Sequence, residues 1–206
     1  MLNNSLFKSF LAVHRVLDST KHADFLAPLA FRVFLFFPFW MAGTQKLGNI
    51  EDTAAWFEYS LELPLPVLMA WLAGLTETAG AVCLLAGFAV RYITVPLMVT
   101  MLFAIFAVHW DNGWAAIASS SDPDIAERLD RARSILKEHG NYDWLTGKGS
   151  IVILQNGIEF GVTYFVLCLS LFFTGAGKYV SIDYWLKSLV DRCTKKKGDA
   201  SSLGVN

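Results

Sequence analysis

Four long stretches of the chain are nearly free of charge. Residues 27–47 hold only Arg32 and Lys46, 67–90 only Glu77, 92–110 none, and 151–175 only Glu159. At ~1.5 Å per residue, runs of this length cross a hydrocarbon core of ~30 Å. Buried helices of a soluble domain are usually shorter and keep a polar stripe. The pattern therefore predicts an all-α membrane protein: a four-transmembrane-helix bundle with spans at 27–47, 67–90, 92–110 and 151–175.

The segments between and around the spans carry their own periodicity. Before the first span, Leu6, Phe7, Phe10, Leu11, Val13 and Leu17 interleave with Lys8, Ser9 and Arg15 at near-helical spacing, which predicts a helix lying on the membrane surface over residues 1–26. After the fourth, residues 179–190 repeat the device with Tyr184 and Trp185, and the last dozen residues, rich in Lys, Gly and Ser, read as unstructured. Residues 112–149 form an insertion between the third and fourth spans. Within it Asp122 can cap a helix that opens on Pro123 and closes at Gly140. Ile125, Leu129, Ala132 and Leu136 share one face of that helix, while Asp124/Arg128 and Glu127/Arg131 stand four residues apart. Trp110, Trp114, Tyr142 and Trp144 bracket the insertion as an aromatic belt.

Composition and charge add orientation. Of 206 residues, 54% are hydrophobic and 17% charged, and a net charge of -1 supplies no field to attract nucleic acid, so nucleic-acid binding is excluded. Lys8, Arg15 and Lys21 precede the first span, Arg91 sits between the second and third, and Lys178, Lys187, Arg192 and Lys195–Lys197 follow the fourth. Residues 48–66 carry only Glu51, Asp52, Glu58 and Glu62. The positive-inside rule then places both termini in the cytoplasm and the amphipathic insertion 112–149 outside. No small-residue cleavage pattern follows the first apolar run, so that run is expected to stay in the membrane.

Ionisable groups at membrane depth are costly, and each needs a reason. Counted from the outer ends at ~1.5 Å per residue, Glu77 and Glu159 are expected roughly 12 to 15 Å deep, with Arg32 roughly 8 Å from the inner end and Lys46 at the opposite end. Gly74, Gly80, Ala81 and Gly87 flank the Glu77 stripe, and Asn156, Glu159, Thr163, Ser170 and Thr174 form a polar stripe on the fourth span. Two readings stand open. Glu77, Asn156 and Glu159, with Lys46, Arg32 and His109, can line a ligand pocket for a quinone head group, a proton or a polar small molecule. Alternatively, Arg32 and Lys46 neutralise the two glutamates and hold the helices in register.

Signals for self-contained chemistry are weak. Cys83, Cys168 and Cys193 form no CxxC pair, and His109 with Asp111 falls short of the three or four ligands of a zinc site. Gly175-Ala-Gly177-Lys178 imitates the end of a phosphate loop, but Phe172 stands where that motif begins with glycine and Tyr179 replaces its Ser or Thr. His14, His22, His109 and His139 lie near or beyond span ends, so no haem-ligand pair is formed. No catalytic residue is assigned.

Arg32, Gly43-Thr-Gln-Lys46-Leu47, Pro64 and Pro66, Glu77-Thr-Ala-Gly80, Gly87, Arg91, Gly175-Ala-Gly177 and Ser181-Ile-Asp183, in this order and spacing, resemble the DoxX family of small four-helix membrane proteins. The resemblance covers residues 27–183, and the long insertion is similar to members found near peptide-modifying enzymes for copper-binding peptides. It implies a multi-pass protein of the bacterial inner membrane, in which Arg32, Lys46, Glu77 and Arg91 are family positions. It also implies an accessory subunit of a quinone- or thiol/sulfur-linked redox system, or else a scaffold or maturation factor that recruits soluble partners. Partners on either reading are the lipid bilayer and other proteins, a second copy of the chain among them.

Overall fold

The computed structural model describes residues 4–202, and every regular element among them is helical. In chain order these are α1 (Asn4–Ser19), α2 (Leu26–Gly48), α3 (Ile50–Tyr59), α4 (Pro66–Ala86), α5 (Val90–Phe103), α6 (Pro123–His139), α7 (Tyr142–Thr146), α8 (Glu159–Thr174) and α9 (Ile182–Ser202). α5 continues through a π-helical stretch (Ala104–His109) and a 3-10 turn (Trp110–Asn112). Three apolar rods are long enough to cross a membrane: Leu26–Gly48, Pro66–Ala86 and Val90–Asn112. Their outward faces present large apolar side chains, among them Phe37, Met41, Leu72, Val82, Val99 and Phe106. Such a surface is unfavourable in water and suits lipid.

The chain divides into two compact units, one formed by the residues up to Met98 and from Leu167 onward, the other by Val99–Val166. In the first, α2 packs along α4, whose buried face runs Ala70, Gly74, Glu77, Gly80, Ala81 and Leu84 at helical steps of three and four. The approach is close because the side chains there are small. A Cβ on Gly43 would lie 2.6 Å from the Thr78 backbone nitrogen, and one on Gly80 would lie 2.8 Å from a Leu97 methyl. The acidic stretch 48–66 between the first two spans is not a plain connection, for α3 occupies most of it. Ala54 and Phe57 of α3 are buried with Ala70, so the helix is held by packing rather than by its own short length.

α4 stops at Ala86, four residues before the expected end of the second span. Gly87 adopts a left-handed conformation (φ 67°) and its N–H, with that of Phe88, returns to the carbonyls of Leu84 and Cys83. Arg91 consequently lies in the first turn of α5 and not in a loop.

In the second unit, α6 begins and ends where the caps predict. The Asp122 side chain accepts the Asp124 N–H, Leu129 is buried, and the Asp124–Arg128 and Glu127–Arg131 pairs are formed at 2.8 and 2.7 Å. These exposed pairs contribute little to stability.

The fourth span differs from expectation. α8 covers 16 residues, Glu159–Thr174, about 24 Å at ~1.5 Å per residue. Residues 151–158 are not helical: the N–H groups of 155–158 reach the carbonyls of Gly113, Ala115 and Ala116, and Ala118 donates to the Ile153 carbonyl. Three β-branched residues (Ile151, Val152, Ile153), Asn156 at φ 59° and Gly157 explain why the helix cannot start earlier. Counting uncharged residues gauges apolar length but not the backbone's willingness to coil.

At the chain ends, α1 leaves Phe7, Phe10, Leu11, Val13 and Leu17 exposed, as a surface-lying helix would. α9 runs to Ser202, so the described part of the last dozen residues is helical where sequence suggested no structure. Lys and Ala are good helix formers, and no proline interrupts them.

Candidate functional site

Arg32, on α2, is buried to 1% exposure and forms no ion pair among the described residues. Instead its guanidinium donates four hydrogen bonds to backbone carbonyls: Nε to Leu84 (2.7 Å), Nη2 to Leu85 (2.9 Å), and Nη1 to Ala176 (2.7 Å) and Val180 (2.9 Å). Leu84 and Leu85 lie in the last turn of α4, where carbonyls have no partner within the helix and carry the negative end of its dipole. Arg32 therefore acts as a tertiary C-cap. The backbone around it is shaped to fit, for a Cβ on Gly87 would lie 2.6 Å from Arg32 Nη2 and 2.6 Å from the Ser181 Cβ.

Asp183 completes this knot. Its Oδ1 and Oδ2 accept the N–H groups of Ala89 (2.7 Å) and Val90 (3.0 Å), capping the start of α5 from another element, and its own N–H donates to Gly87. Ser181 Oγ donates to the Gly177 carbonyl, and Arg91 Nη2 to that of Phe173 at 3.0 Å. Beside the knot, Lys178 pairs with Asp24 at 2.7 Å, and that hydrogen bond and charge hold the lysine above the ordinary lysine range. The start of α2, the end of α4, the start of α5 and the end of α8 thus share one end of this unit, as do the residues flanking α1 and α9.

The second lock lies farther along α2. Lys46 Nζ donates to Glu77 Oε2 at 2.6 Å, with side-chain exposures of 24% and 5%. One residue on, the Thr78 hydroxyl is buried without a hydrogen-bond partner. The expected alternative, Arg32 reaching Glu77, is not formed, because carbonyls of α4 and of the segment between α8 and α9 occupy all three guanidinium nitrogens.

His109, Asn156 and Glu159 belong to the other unit and form their own cluster. Glu159, expected deep inside a helix, is the first residue of α8, and its Oε2 accepts the Ala116 N–H at 3.0 Å. Among the described residues it enters no ion pair; a carboxylate at a helix N-terminus is favoured by the dipole. His109 Nδ1 lies 2.8 Å from the Asn156 carbonyl, which Asn112 also reaches at 3.2 Å. The hydroxyls of the expected polar stripe turn back to their own helix, Thr163 to Glu159 and Thr174 to Ser170. Six candidate residues thus divide into the Arg32 knot, the Lys46–Glu77 lock and the cluster around Asn156. Among the described residues, no group of three or more His, Cys, Asp and Glu is gathered as a metal site would need.

Sequence reading did not assign a partner to Asp24 or a role to Lys187. Both line an open cleft of about 710 Å3 beside the knot, between the start of α2, the end of α8 and the start of α9. A signal existed in Asp24, an acid standing just ahead of the first span among basic neighbours, but its partner lies 154 residues away.

Long apolar helices with lipid-suited faces, close-packed through glycines and locked by buried charge, define a helical membrane protein. Residues 27–110 match the DoxX family model, and over that range the chain is similar to the DoxX family. The match takes in α2 to α5, with Arg32, Lys46, Glu77 and Arg91. No curated protein and no solved structure matches the chain.

Proposed function

We propose that this protein is an accessory membrane subunit that performs no bond chemistry itself and serves as a scaffold or maturation factor for soluble partners. The observation that supports it is that each buried charge is spent on an internal partner: Arg32 on four carbonyls, Glu77 on Lys46. Groups so committed hold helices together and are poorly placed to bind or protonate a substrate. The surfaces left for partners are the exposed apolar faces of α1 and α9 and the charged face of α6. On this reading the protein sits in a bacterial inner membrane with four spans, α8 and the extended 151–158 segment serving as the last. Both termini are then cytoplasmic and α6 is outside. Copper-binding peptide biosynthesis is one setting such a factor suits.

A quinone-linked redox subunit is the second reading, favoured by the unpartnered Thr78 hydroxyl next to the Lys46–Glu77 lock, a donor that a quinone carbonyl can accept. Purification in mild detergent, followed by extraction of bound quinone and identification of co-purifying soluble proteins, separates the two. A soluble protein in stoichiometric amount without quinone supports the scaffold. One equivalent of quinone, lost in Thr78→Val, overturns it in favour of the redox subunit.

A further inference from the structure

The cleft beside the Arg32 knot has an unbalanced charge. Of its two acids, Asp24 is paired with Lys178, and both oxygens of Asp183 accept backbone N–H groups of α5. Its two other cations, Arg91 and Lys187, enter none of the ion pairs formed among the described residues; Arg91 Nη2 donates to the Phe173 carbonyl, and both side chains are exposed. The positive character continues along α9 into a second cleft of about 540 Å3, which shares Lys178, Tyr184 and Lys187 and adds Arg192 and Lys195 against a single acid, Asp191.

The position of the cleft narrows the ligand. It opens where α2 starts and α8 ends, so its mouth lies at the boundary of the apolar helices. Phe25, Phe31 and Tyr184 line its walls, and Leu26, Phe173, Val180 and Ile182 are exposed nearby at 44% or more. A soluble anion would use the cations and leave the apolar rim bare; a molecule carrying both a phosphate and acyl chains uses both. Basic clefts between membrane helices are suited to anionic lipid head groups. We infer that this cleft binds the phosphate head group of an anionic phospholipid, with Arg91 and Lys187 holding the phosphate and the acyl chains lying along the apolar rim. The inference is independent of whether the protein is a scaffold or a redox subunit.

The test uses the full chain in nanodiscs of phosphatidylcholine, with or without phosphatidylglycerol, read by native mass spectrometry of retained lipid and by thermal unfolding. Phosphatidylglycerol should be retained in preference to phosphatidylcholine and should raise the unfolding midpoint. Lys187→Gln should weaken retention about fivefold, the effect expected of one cation near the membrane surface. Lys148→Gln, an exposed lysine outside both clefts, should leave retention unchanged. Arg91→Gln should act as Lys187→Gln does; because Arg91 also holds a carbonyl, Lys187→Gln decides alone if the Arg91 variant does not fold. Equal retention in the parent and Lys187→Gln overturns the proposal. So does inorganic phosphate that reproduces the whole shift in phosphatidylcholine discs and loses it in Lys187→Gln, since the site would then serve a soluble anion.

Discussion

Arg32 and Glu77 are both buried ions, held by opposite means. The arginine is satisfied by dipoles, four backbone carbonyls, and the glutamate by one opposite charge. A planar guanidinium with five donors can bridge two chain segments at once, which a lysine ammonium at that point cannot do. Lys46 suffices for Glu77 because one carboxylate needs one cation. Glu77→Gln should leave that ammonium half-buried and unpaired, at a cost of about 3 to 5 kcal/mol in thermal unfolding in detergent. Combining it with Lys46→Met should restore most of the loss, whereas Arg32→Met should not, because Arg32 has no contact with Glu77. The Asp24–Lys178 pair answers differently to pH. Its lysine pKa is raised by the aspartate, so the tie is complete below the ordinary lysine pKa and is lost as pH climbs through the raised value. Lysine side-chain NMR should show the Lys178 midpoint fall in Asp24→Asn, and an unchanged midpoint would show that the aspartate does not hold it up.

At the scale of elements, helix boundaries were legible wherever a local signal set them. Asp122, Pro123 and Gly140 bound α6 because capping is an affair of neighbouring residues. The start of α8 was not legible. It depends on residues 113–116, some forty positions away in the chain, accepting the N–H groups of 155–159. Unpaired backbone is intolerable in lipid, and non-helical chain survives near a membrane only where protein supplies such partners. Gly157 permits the pairing: a Cβ there would lie 2.5 Å from the Gly113 oxygen and 2.6 Å from that of Ala115. Gly157→Ala should therefore destabilise the Val99–Val166 unit by about 1 to 3 kcal/mol. Hydrogen exchange should report faster opening of the amides at 155–159, with α4 unaffected. Unchanged exchange at those amides would show that the extended pairing does not support the start of α8.

For the whole molecule, the contacts of Arg32 and Lys178 bring the residues flanking α1 and α9 to the same end of one unit, and on the proposed reading the two terminal segments face one side of the membrane. Which side is a matter of charge. Lys21, Arg91, Lys178 and Lys187 gather at that end, and the segment of α3 and the turn after it, bearing Glu51, Asp52, Glu58 and Glu62, follows the opposite end of α2. On the proposed topology, the positive-inside rule makes the basic end cytoplasmic. Reporter fusions after Pro66 and Asp130 should read external and fusions after Arg91 and Asn206 internal. An internal signal at Asp130 would mean that residues 90–112 do not span and that α6 lies on the same side as the termini.

The sequence by itself determined the solvent, the long apolar rods and the locally capped helices, because apolar length, charge spacing and end caps are properties of contiguous residues. It also marked Arg32, Lys46, Glu77, Gly87 and Asp183 as a set, without saying what each one does. Only the tertiary structure decided that Arg32 caps α4 and that Lys46, rather than Arg32, neutralises Glu77. It likewise decided that Glu159 opens α8 and that Asp24 meets Lys178. Each of those outcomes turns on which ends of distant segments come together, and a one-dimensional pattern carries the cost of burying a charge but not the address of the group that offsets it.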